Sequence, residues 1–251
     1  MPLADPSFAL LLGASVLAAL VVGFLKTSLG GGIGLVLTPT LTLVLPAPTA
    51  LALLAALLLL SDPLAVRLYW RTWDARQLRL LLPSSLVGVV AGMWVLSLLS
   101  PVGMRRTIGV AAIVFALAQL TLARGTGSLF GASPHWSAGV VAGLITGFAS
   151  VIAHSGGLVM GLYLLSLGLP GALVVGTANA VTVLADVLKL AGYWQIGFVS
   201  PSLPLASVLG VPSLAVGAWL GFRVNQRLPR RAFEIALVII AIAGSLRLLL
   251  A

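Results

Sequence analysis

Five ionisable side chains stand within or at the ends of long apolar stretches: Lys26, Asp62, His154, Asp186 and Lys189. A charge in lipid is costly, so each is by default a candidate for function. Lys26 is followed by Thr27, Ser28 and the run Gly30-Gly31-Gly32, and His154 by Ser155-Gly156-Gly157. A short glycine-rich turn that leads into a helix presents unsatisfied backbone N–H groups at the positive end of the helix dipole. Such a turn can hold an anion, and glycine lets the ligand approach the backbone closely. Close helix packing is the competing explanation for the glycines. Three in succession exceed what packing needs, so Gly30, Gly31 and Gly32 are read as a site.

Each ionisable residue has an ordinary role to set beside the functional one. Lys26 either attracts an anion or extends to the interface, and its place before the break favours the anion. Asp186 and Lys189 are three residues apart, share a helix face and are expected to pair. The alternative is a proton-sensitive carboxylate beside an anion-attracting ammonium. Asp62 precedes Pro63; it is expected to cap or to pair with Arg67, with proton coupling as the other reading. His154 is either a hydrogen-bonded core residue or a ligand or proton carrier. Asn179, with Thr177 and Thr182, offers uncharged donors that serve a substrate or neighbouring helices. With no cysteine and only His135 and His154, no metal cluster or cofactor is expected, and no nucleophile–base set points to an enzyme.

The elements that position these residues are helices in lipid. The chain has 251 residues, 60% of them hydrophobic and 8% charged, with a mean hydropathy of +1.18. A soluble domain carries about 25% charged residues. A soluble enzyme and a disordered or fibrous chain are therefore excluded. No Asp, Glu, Lys or Arg occurs in 27–61, 80–104, 125–185 or 190–222. A spanning helix needs about 20 apolar residues. Barrel strands would be short and alternating, so closed helical packing is what satisfies the backbone. The formal net charge of +9 reads as loop arginines that set topology, not as a nucleic-acid surface. Arg67, Arg71, Arg76 and Arg79 are interleaved with Tyr69, Trp70 and Trp73, the composition of an interfacial belt. Residues 1–6 lack a basic region, so a cleaved signal peptide is not expected.

Ten hydrophobic segments can be marked: 8–25, 33–45, 49–66, 80–99, 107–123, 136–153, 158–169, 173–190, 201–222 and 232–250. The last five repeat the first five. Gly23-Phe24 returns as Gly147-Phe148, Gly31-Gly32 as Gly156-Gly157, Pro46 as Pro170 and Asp62 as Asp186. Tyr69-Trp70 returns as Tyr193-Trp194, Trp94 as Trp219 and Arg105-Arg106 as Arg230-Arg231. The offset is 124 or 125 throughout. This divides the chain into a first repeat, 1–124, a connector, 125–135, and a second repeat, 136–251. The arginine-rich loop changes place between the halves, as it does when an odd number of spans inverts the second repeat. The expected fold is an all-α polytopic membrane protein of two inverted repeats with eight to ten transmembrane helices. Short second and seventh segments follow the glycine breaks. Gly88/Gly92, Gly139/Gly143/Gly147, Gly157/Gly161 and Gly217/Gly221 have the spacing of close helix packing.

These residues resemble a known family. The stretch Gly23-Phe24-Leu25-Lys26-Thr27-Ser28-Leu29-Gly30-Gly31-Gly32-Ile33-Gly34, running on to Pro39, is similar to the first signature of the sulfite exporter TauE/SafE family of membrane permeases. Leu60-Ser61-Asp62, then Arg67 and Tyr69-Trp70-Arg71, resembles its basic loop. Gly147-Phe148-Ala149-Ser150, then Ala153-His154-Ser155-Gly156-Gly157, resembles its second-half signature, and Gly176-Thr177 through Lys189 and Tyr193 the following helix. The resemblance implies a multi-pass permease of the cell inner membrane for sulfite or organosulfonates. Transport would be secondary and coupled to protons or another ion. The glycine breaks, Lys26, Thr27, Ser28, His154, Ser155, Asn179 and Lys189 would bind the anion, and Asp62, His154 and Asp186 would carry protons. A passive anion channel is the alternative. The partners expected are a small sulfur-containing anion, membrane lipid and a second copy in a homodimer, with no nucleic acid.

Overall fold

A computed structural model describes residues 6–28, 32–123, 135–225 and 230–250. The described chain is all helical. The first half forms α1 (Pro6–Ser28), α2 (Ile33–Val44), α3 (Ala47–Leu68), α4 (Ala75–Leu98) and α5 (Pro101–Ala123). The second forms α6 (Trp136–Ala153), α7 (Gly156–Ser166), α8 (Gly171–Gln195), α9 (Leu203–Leu209), α10 (Val211–Asn225) and α11 (Arg230–Leu250). Helix ends follow local chemistry. The Asp74 side chain accepts the backbone N–H groups of Arg76 and Gln77 and caps α4. Pro101 begins α5, where its missing N–H has no partner to lose.

The ninth hydrophobic segment, expected to be one helix, is two. α9 and α10 meet at Gly210 with a bend of 42°. Pro212 has no N–H to offer the preceding turn, so the helical ladder is interrupted there. α1, α4, α5, α6 and α8 are each long and apolar enough to cross a bilayer, and α9 with α10 makes a sixth candidate span. α2 has 12 residues and α7 has 11. At 1.5 Å per residue each is about 17 Å long, short of the roughly 30 Å hydrocarbon core. Ten full spans is therefore more than the helix lengths allow.

In lipid, helices associate through close packing, and glycine permits the closest backbone approach. α4 packs most extensively on α6, and α1 on α10. Gly88 of α4 faces the backbone of Leu144, and Gly147 of α6 faces that of Ser85. Gly217 and Gly221 of α10 face the backbone of Leu20 and Phe24 in the same way. By the repeat spacing these seams are counterparts, each joining a helix of one half to a helix of the other. Gly157 and Gly161 depart from the packing expectation: among the described residues nothing lies within 4 Å of where their Cβ atoms would be. Their spacing is right for a seam, but that face of α7 meets no helix among the described residues.

α3 is the central helix. Ala50, Leu51, Ala52, Leu53, Leu54, Ala55 and Leu57 are at most 1% exposed. It packs on α8, its repeat counterpart, and on α1, α2 and α9. α8 is less enclosed, with Leu184 and Val187 exposed. Asp62 and Asp186 thus lie at corresponding places on two helices that touch.

Candidate functional site

Both aspartates carry an ammonium, but they obtain it differently. Lys26 Nζ of α1 donates to Asp62 Oδ1 at 2.7 Å and to Ser61 Oγ at 2.6 Å. Lys189 Nζ donates to Asp186 Oδ1 at 2.6 Å, three residues away on α8, and to Ser150 Oγ of α6 at 3.2 Å. Ser150 stands 124 residues after Lys26, so it occupies the lysine's place in the second repeat. Each cluster is an ammonium, a hydroxyl and a carboxylate, with ammonium and hydroxyl exchanged between counterpart helices. The two clusters stand on α3 and α8, which pack against each other.

The expected Asp62–Arg67 pairing is not what forms. Arg67 is exposed and Asp62 pairs with Lys26. Lys26 is drawn inward rather than out to the interface. The Asp186–Lys189 pair forms as the spacing implies. Exposure separates the two: side-chain exposure is 20% for Lys26 and 0% for Lys189. Asp62 Oδ2 is buried and has no hydrogen-bond partner among the described residues.

His154 ends α6 in the left-handed conformation, with φ 51°. That region is strained for a non-glycine residue, and such strain concentrates at functional turns. Its backbone N–H donates to Ser150 O. Thr38 Oγ1 of α2 donates to Ala153 O at 3.0 Å and lies 3.4 Å from His154 Nδ1. The hydroxyl has one proton to share between these two contacts. Nε2 of the ring is buried without a partner among the described residues. The ring leans on Tyr193, which donates to Val151 O at 2.6 Å and stacks on Phe198.

The two breaks meet. A side chain at Gly34, in the first turn of α2, would overlap the carbonyl oxygens of Ala153 and His154. Gly32 precedes α2 with φ 77°, a conformation that favours glycine. Gly156 packs on Thr146 and Ser150, whereas Gly157 has no neighbour within 4 Å of its Cβ position among the described residues. Gly30 and Gly31 lie outside the described residues, as does the Ser28 side chain.

Several expected donors have backbone partners instead. Thr27 Oγ1 is within hydrogen-bond distance of the carbonyls of Gly23, Phe24 and Ala218, which ties α1 to α10. Ser155 Oγ donates to Ala153 O. Thr177 Oγ1 accepts from the backbone N–H of Asp74 and Thr182 Oγ1 donates to Asn179 O. Asn179 is half-buried, seven residues before Asp186 and so on the same stripe of α8. Sequence reasoning passed over Ser61, Ser150, Thr38 and Thr146, whose buried Oγ1 has no partner among the described residues. The repeat offset itself points to Ser150, as the position that matches Lys26.

Buried cations and buried carboxylates where broken helices meet suit an anion that is held and released in a dry setting, and no reacting group is needed for that. No curated protein and no solved structure matches the chain. A family model described as Sulfite exporter TauE/SafE matches residues 15–248. A match over nearly the whole length, carried by a multi-pass helical chain, means that this membrane transport protein belongs to the sulfite exporter TauE/SafE family.

Proposed function

We propose that the chain is a secondary transporter of small sulfur-containing anions, sulfite or organosulfonates, coupled to protons or another ion. It would act in the cell inner membrane, and as a homodimer. One half moving against the other would alternate access to a site at the glycine breaks. The observation that carries this reading is the Lys26–Asp62 and Asp186–Lys189 cluster, buried beside the junction of the two breaks. Lys26 supplies positive charge to the anion, and the first turns of α2 and α7 supply backbone N–H groups. Asp62 and His154 are the groups through which a proton gradient would act, with Asp186 as the alternative to Asp62. Radiolabelled sulfite and organosulfonate flux into proteoliposomes tests it. Saturable flux that responds to an imposed pH gradient is expected. No saturable flux of any of these anions, with the protein shown to be folded, sinks the reading. Saturable flux that ignores the gradient points to a passive channel instead.

A further inference from the structure

We infer that Asp62 and the transported anion compete for the Lys26 ammonium, which links one proton to each anion carried. Asp186–Lys189 is then a structural pair outside this exchange. The inference deepens the transport reading above and rests on it.

The argument starts from how the two pairs are built. Lys26 and Asp62 sit on different helices, α1 and α3, so their bond depends on where those helices stand. Lys189 and Asp186 sit one turn apart on α8 and move as a unit. An intrahelical pair can neither report nor resist a displacement of one helix against another; an interhelical pair does both. Access differs in the same direction. The Lys26 side chain is 20% exposed and that of Lys189 is 0% exposed. Lys26 Nζ has three N–H donors, of which Ser61 and Asp62 take two among the described residues.

Asp62 is equipped to take a proton. Its Oδ1 accepts from Lys26, while Oδ2 is buried with no partner among the described residues. The charges that act on it are Lys26 from α1 and Asp186 and Lys189 from α8. α2 and α9, which also pack on α3, carry no ionisable side chain. Arg105 and Arg106 of α5 and Arg223 of α10 are not among the groups that act on it.

The exchange balances. In the empty state the Lys26 ammonium faces the Asp62 carboxylate. A proton from the aqueous side adds to Oδ2, the carboxyl becomes neutral, and the ammonium is left without a counter-ion. The incoming anion takes that place. When the anion leaves, the carboxyl gives up its proton and the pair re-forms. A buried ammonium is not left unpaired in either state. Loading therefore loosens α1 from α3, and unloading draws them together. A low pH on one side favours loading there, and a high pH on the other favours release.

The test is sulfite counterflow in proteoliposomes across a pH series, with equal pH on both sides. The half-saturation concentration is read for the wild type, Asp62→Asn and Asp186→Asn. Sulfite's own titration is common to all three and cancels in the comparison. The wild-type value is expected to rise with pH more steeply than that of Asp62→Asn, by up to about tenfold per pH unit, the slope of one linked proton. Asp186→Asn is expected to keep the wild-type slope. Retention of the wild-type slope by Asp62→Asn, or its loss in Asp186→Asn instead, overturns the inference while leaving the transport reading intact. Absence of saturable wild-type sulfite flux overturns both. Should Asp62→Asn not fold, the doubly neutral Lys26→Gln/Asp62→Asn variant leaves no unpaired charge and is expected to lose saturable sulfite flux. Retention of wild-type flux by that variant overturns the inference.

Discussion

The two Lys–Asp pairs are made of the same groups and differ in where the lysine stands. In the first half it comes from α1 and reaches across to α3. In the second it comes from α8, beside its own carboxylate, and a serine fills the α6 position that matches Lys26. One arrangement couples two helices and is partly open; the other neutralises a single helix and is sealed. The same groups around counterpart aspartates thus give an ion pair that spans two helices and one that lies within a single helix.

The largest expected effect is on the sealed pair. Asp186→Asn leaves the Lys189 ammonium buried without a counter-ion, and such a loss costs about 3–5 kcal/mol. Thermal unfolding in detergent should show it as a large fall in Tm. Little change would mean that Lys189 has another partner. A sharper form exploits the exchanged positions. Lys189→Ala should destabilise to a similar degree, about 3–5 kcal/mol, because it strands the carboxylate. Adding Ser150→Lys should restore most of that stability by rebuilding the first-half arrangement in the second half. Failure of the second substitution to rescue would break the equivalence of Ser150 and Lys26.

Next come the glycines. Gly147→Ala places a methyl group against the Ser85 carbonyl in the α4–α6 seam. Overpacking of this kind costs about 1–3 kcal/mol. Gly157→Ala meets nothing within 4 Å among the described residues. It should change stability by no more than about 1 kcal/mol, in the stabilising direction, since alanine favours a helix over glycine. Equal effects at the two positions would mean that the α7 face is covered after all. A similarly small effect, in the destabilising direction, is expected from Ser150→Ala. It removes a 3.2 Å hydrogen bond but leaves Lys189 paired with Asp186, a loss of about 1 kcal/mol.

How legible these contacts were depends on their separation along the chain. Asp186 and Lys189 pair across one helical turn, so spacing alone placed them together. Lys26 and Asp62 are 36 positions apart. Nothing local chooses Lys26 over Arg67, and the nearer arginine was the natural expectation. The breaks at Gly32 and His154 were visible because glycine and the constant offset mark them. The hydroxyls beside them were not. Thr27 and Ser155 have the composition of ligand donors, but their positions let backbone carbonyls take their protons.

Glycine spacing shows the same division. A four-residue interval puts two glycines on one face of any helix, and that follows from helical geometry. Whether the face meets a neighbour depends on how the helices are arranged. Gly217 and Gly221 meet α1, whereas Gly157 and Gly161 meet no side chain or backbone among the described residues.

By itself the sequence determined the solvent, the helical class, the break positions and the short list of buried charges. Each of those follows from composition or from a period within a few residues. Tertiary structure alone decided which ammonium serves Asp62, which hydroxyls remain for a ligand and which glycine face is closed. These depend on contacts between helices remote in sequence, where the burial of a charge favours whichever partner the packing brings near.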